Sequence, residues 1–82
     1  MLTYFMKIVP HYSGMLVGRF PDLPDVSVVG RDHADIMARA LIVLEEALAG
    51  LVADGRGLPR PTWRGALAVT TALFHRRHAF AR

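Results

Sequence analysis

A chain of 82 residues has room for one small domain, and with 52% hydrophobic and 21% charged residues it can build a packed core, which excludes a disordered polyelectrolyte. It has no cysteine, which excludes a disulfide framework and any thiolate metal site and fits a reducing cytoplasm. The net charge of +3 is unevenly spread: residues 1–55 set Lys7, Arg19, Arg31 and Arg39 against Asp22, Asp25, Asp32, Asp35, Glu45, Glu46 and Asp54, whereas residues 56–82 carry six arginines and no acid.

Leu2 to Val9 is rich in aromatic and branched residues and alternates Tyr4, Met6 and Ile8 with the wetter set Thr3, Phe5, Lys7 and Val9, the period of a strand. Pro10 to Gly14 supplies turn chemistry, and Met15 to Phe20 resumes an extended run, so the pair reads as a hairpin. Pro21-Asp22-Leu23-Pro24 takes the chain out of the sheet, because each proline lacks an N–H and restricts its predecessor. Val26, Val28 and Val29 predict a third short strand ending at Gly30.

Asp32 is a plausible N-cap, with Asp35 three residues on at the positive end of the helix dipole, so a helix begins near His33. Met37, Ala40, Leu41, Leu44, Leu48 and Leu51 recur at spacings of three and four and form a core-facing stripe, widened by Ile36, Val43 and Ala47. That extra width fits either a second chain or a thick core. Gly55 supplies a left-handed helix stop. Gly57 to Thr62 is a stiff connector, and Leu67 to Thr71 offers a fourth strand.

Residues 72–82 read as a basic tail or short helix, appended to a single domain over residues 1–71. No apolar run approaches the roughly 20 residues that span a bilayer, since Glu45 and Glu46 interrupt Leu41 to Val52. Met1 to Pro10, with Lys7 amid its apolar residues, does not read as a signal peptide. The expected setting is cytoplasmic.

The order β-β-β-α-β predicts an α+β domain: an antiparallel meander with one helix packed on the sheet, and a fourth strand returned by the helical crossover to lie parallel to the first. This is a partial ribonuclease H-like arrangement.

Three strings then carry a family resemblance: Phe20-Pro21-Asp22-Leu23-Pro24 after the second strand, Val28-Val29-Gly30 before an acidic, Ala-rich helix start, and Leu58-Pro59-Arg60-Pro61-Thr62 after the helix. Over residues 2 to about 71 the chain resembles the HicB-like antitoxins. The resemblance implies a partial ribonuclease H fold, a homodimer or higher homo-oligomer, and a partner of the HicA type, a small basic mRNA-cleaving toxin that the antitoxin neutralises by covering it. The family usually has glycine where this chain has Asp25. Many members also carry a C-terminal DNA-binding module, for which this chain leaves no room, so it reads as a short stand-alone member.

Two-metal nuclease chemistry needs converging carboxylates. Here Asp22 and Asp25 flank a turn, Asp32 and Asp35 cap a helix, and Glu45 and Glu46 point different ways along it. His75 and His78, at i and i+3, resemble a zinc pair without a third ligand, while His11 and His33 fall at a turn and a helix start. No cofactor, metal or catalytic residue is expected, and the chain reads as a non-enzyme. Two functions from different classes remain. In the first, Asp22, Asp25, Asp32 and Asp35 present charge to a basic protein partner. In the second, the basic end contacts nucleic acid through Arg60, Trp63, Arg64, Arg76 and Arg77, with Trp63 either stacking on bases or sealing the core edge.

Overall fold

In a computed structural model, which describes residues 2–71, the elements are β1 (Leu2–Pro10), β2 (Leu16–Phe20), β3 (Leu23–Gly30), α1 (His33–Ala53) and β4 (Leu67–Thr71). The segment 72–82, with His75, Arg76, Arg77 and His78, lies outside the described residues. The four strands form one sheet in the order β3-β2-β1-β4, with the helix on one face, an α+β fold in the expected chain order.

The alternation read in β1 holds: Tyr4 and Met6 are buried while Lys7 and Val9 are exposed. Lys7 to Pro10 pair with Arg19 to Leu16, closed by a turn in which Gly14 adopts φ +88 and the His11 N–H donates to the Met15 carbonyl. The hairpin is therefore as expected.

Two expectations are corrected. The sequence takes Leu23 and Pro24 out of the sheet, yet β3 begins at Leu23, which pairs with Phe20. Proline is tolerated because β3 is an edge strand. The register jumps between Arg19↔Ser27 and Phe20↔Leu23, which accommodates Pro24 opposite no ladder partner.

The second correction concerns β4, which runs antiparallel to β1, not parallel to it. Leu67 pairs with Met6 and Thr71 with Leu2, so the chain enters β4 beside the middle of β1 and runs back towards its start. A parallel strand would have to enter at Leu2. Instead, residues 59–63 are tied to the sheet: Tyr4 Oη donates to the Pro59 carbonyl, and the Asp22 carboxylate accepts from the Thr62 and Trp63 N–H groups. These ties bring the connector up the sheet before β4 begins and fix its direction.

The helix buries Ile36, Ala40, Leu44 and Leu48, a strict four-residue repeat, against Tyr4, Met6, Phe20, Val28 and Val69. Each such Ile or Leu contributes about 1.5–3 kcal/mol relative to leaving it exposed. Met37 and Leu51 flank the stripe half-buried, whereas Leu41, expected in the core, is 38% exposed and Ile42 58%. Leu41 lies one residue off the 36-40-44-48 line, a turn of about 100° about the axis.

Asp32 caps the helix, its Oδ1 accepting from the Asp35 N–H at 2.8 Å. Asp32→Ala is expected to cost about 1 kcal/mol in urea unfolding, with Asp32→Asn near neutral. At the other end the Arg56 N–H donates to the Leu51 carbonyl and the Gly55 N–H to Val52, with Gly55 at φ +70, a Schellman stop at the predicted glycine.

Candidate functional site

The turn after β2 and the connector after the helix meet in space through Asp22. Asp22, in the turn between β2 and β3, accepts three hydrogen bonds from the connector: Thr62 Oγ1 at 2.6 Å, the Thr62 N–H at 2.9 Å and the Trp63 N–H at 2.9 Å. Donation by the Thr62 hydroxyl, then by the Trp63 amide, favours the ionised carboxylate and holds the Asp22 pKa below its ordinary value. Tyr4, bonded to the adjacent Pro59, is pushed the other way, first by burial and then by the nearby Asp22 charge.

Beside this clamp lies an open groove of about 520 Å³ between the start of β3, the last turns of α1 and the connector. Leu23, Val26 and Leu51 supply apolar wall, and Asp22, Asp25 and Asp54 supply charge, with Arg56 as the cation among its lining residues. Asp54 is the C-cap, and no basic residue occupies the last turn. The negative end of the helix dipole thus adds to the three carboxylates instead of being offset, which makes the groove electronegative.

The four acids singled out from sequence are split by the fold. Asp22 and Asp25 share the groove. Asp32 and Asp35 lie at the start of a 21-residue helix whose end forms the groove, about 30 Å away along its axis. Asp35 is moreover compensated there: it accepts the Arg31 N–H at 2.9 Å and the Arg39 Nε at 3.1 Å, and pairs with both guanidinium groups. Its pKa is lowered, chiefly by the Arg31 backbone bond. Asp54 was visible in the sequence only as a poor match to the dipole; the signal for the groove was the acid lying close to the helix stop.

The nucleic-acid candidates are also divided. Arg64 lies over the Phe5 ring, 5.9 Å from its centroid, on the face of the sheet away from the helix. Arg60 is exposed and makes no ion pair among the described residues. The Trp63 indole is half-buried and folds back so closely on Gly65 that any side chain there would collide with it. It is neither a core residue nor an open platform. Arg76 and Arg77 lie outside the described residues.

Glu45 accepts a hydrogen bond from the buried Thr71 hydroxyl at 2.7 Å, tying α1 to β4. His11 is bonded to Ser13 in the hairpin turn. Among the described residues no three His, Asp or Glu side chains come together as a metal site, and no helix is long and apolar enough to cross a membrane. No family model, curated protein or solved structure matches the chain.

Proposed function

We propose that the chain is a non-catalytic interaction module of the HicB antitoxin type, which neutralises a small basic, RNA-cleaving partner of the HicA type by covering it in the cytoplasm. The observation that carries this reading is the electronegative groove: three carboxylates and a helix C-terminus around an apolar wall suit a cationic protein surface with a protruding apolar side chain. The Asp22 clamp supports it, because it joins two of the three strings that carry the resemblance, from which Asp22, Leu23, Pro24 and Pro59 line the groove. The reading takes the chain order as a partial ribonuclease H-like arrangement in which β4 is reversed.

Self-association belongs to the same proposal. β3 is a sheet edge, and Val29 (46% exposed) and Ile42 (58% exposed) leave apolar surface beside it. Light scattering after gel filtration is expected to return a dimer or larger species, and Ile42→Lys is expected to shift it towards monomer.

The test is co-purification with the small basic protein encoded beside this chain's gene, followed by titration. Asp25→Lys with Asp54→Lys is expected to weaken the complex at least tenfold and flatten its salt dependence. The same double variant should unfold no more easily, since a cation at the helix C-terminus contributes about 0.3–1 kcal/mol of stability. A neighbour of that kind that forms no complex, or one that binds the double variant undiminished, defeats the reading.

A further inference from the structure

The face of the sheet away from the helix carries a charge arrangement that folding alone does not explain. Side chains alternate across a strand, so burial of Tyr4, Met6, Gly18, Phe20 and Val28 turns Phe5, Lys7 and Arg19 outward. Lys7 stands directly opposite Arg19 in the β1–β2 ladder. Like charges so placed are destabilising, and neither forms an ion pair among the described residues. Arg64 adds a third cation over Phe5, whose position lies about 7 Å along β1 from Lys7. All seven acids of the chain lie elsewhere: in the helix and at its caps, or on the groove.

We propose that this face binds single-stranded nucleic acid, with Lys7, Arg19 and Arg64 holding phosphates and an unpaired base stacking at the Phe5–Arg64 pair. A flat sheet with an aromatic ring and a planar guanidinium offers a stacking platform, and base–aromatic stacking tolerates any sequence. Tyr12 is 97% exposed at the tip of the same hairpin, its ring centroid 4.2 Å from that of His11, and supplies a second stacking surface beyond the end of β1. A lipid surface fits less well, because membrane contact calls for an apolar centre ringed by cations. Here the Lys7–Arg19 pair crosses the middle of the face, between Phe5 and the row Val9–Val17–Val29. The site is on the face opposite the helix, so its fate does not depend on that of the groove.

The experiment is fluorescence anisotropy of the full chain with labelled twelve-residue oligouridylate and oligothymidylate, with phosphatidylserine vesicles as a separate arm. Saturable oligonucleotide binding is expected. In Lys7→Ala with Arg19→Ala, affinity should fall at least tenfold and the slope of log K against log salt should lessen by about 1.4, the loss of two phosphate contacts. Thermal stability of that variant should hold or rise, because the like-charge pair is gone. Lys7→Glu, which sets an acid opposite Arg19, should raise stability while abolishing binding, a combination that a structural role for Lys7 does not produce. The dependence on Lys7 and Arg19 should persist in Arg76→Ala with Arg77→Ala. The proposal is overturned if the Lys7/Arg19 variant binds like the parent, if only the Arg76/Arg77 variant loses binding, or if vesicles are bound and oligonucleotides are not.

Discussion

Gly30→Ala is expected to cost at least about 3 kcal/mol, the upper end of overpacking penalties, because the atoms it meets cannot move. A Cβ at Gly30 would sit 2.6 Å from Ile36 Cα and 2.7 Å from its backbone nitrogen. Ile36 is fully buried in the first turns of α1, so relief requires lifting the helix from β3. Against the roughly 4–12 kcal/mol that a domain of this size holds, such a loss leaves little margin. Gly18 is the comparison. There a Cβ would lie 2.5 Å from Met6 Sδ, the end of a flexible side chain. Gly18→Ala should therefore cost only about 1 kcal/mol. Gly50, in the exposed last turns of the helix, has nothing within 4 Å, so Gly50→Ala should add about 0.5–1 kcal/mol. Urea unfolding of the three variants tests the ranking, and a Gly30→Ala protein as stable as Gly18→Ala would refute the close approach.

That contact marks where the sequence stops being readable. Gly30 is visible there as the end of a strand, and Asp32, Gly55 and the leucine repeat mark both ends and the buried face of the helix, because all of these are local signals. How closely strand and helix approach depends on packing that one sequence does not display. The direction of β4 is hidden for the same reason: it follows from Asp22 holding residues forty positions later, not from the connector's own composition. Pro24 misled because proline excludes a central strand but not an edge.

In the candidate sites the acids Asp22 and Asp25 were legible as neighbours in sequence. Lys7 and Arg19 were each visible, and their pairing was latent in the hairpin, since both lie six residues from Ser13. Among the described residues the charge asymmetry has a spatial counterpart: Lys7, Arg19 and Arg64 lie on the sheet face away from the helix, while Asp22, Asp25 and Asp54 surround the groove at the helix end.

Asp22→Asn is expected to loosen the connector and lower the melting temperature on the order of 5–10 °C at pH 7. An amide presents one acceptor oxygen where the carboxylate accepts three bonds from Thr62 and Trp63, and its NH₂ group would face donors. Thr62→Val, which removes only the hydroxyl bond, should do less. The pH dependence separates a charge effect from a shape effect. Asp22 has a folded pKa below its unfolded value of about 3.9, so its stabilisation is fully present above that value and is lost as pH falls through the folded one. The gap between parent and Asp22→Asn should accordingly be widest above about pH 5 and close under more acid conditions. Asp35, whose pKa is also lowered, gives both proteins a shared acid loss that cancels in the comparison. The same clamp orients one wall of the groove, so the variant should also bind a basic partner more weakly at pH 7. A gap that stays constant from pH 7 to pH 3 would show that the ionised carboxylate is not what holds the connector in place.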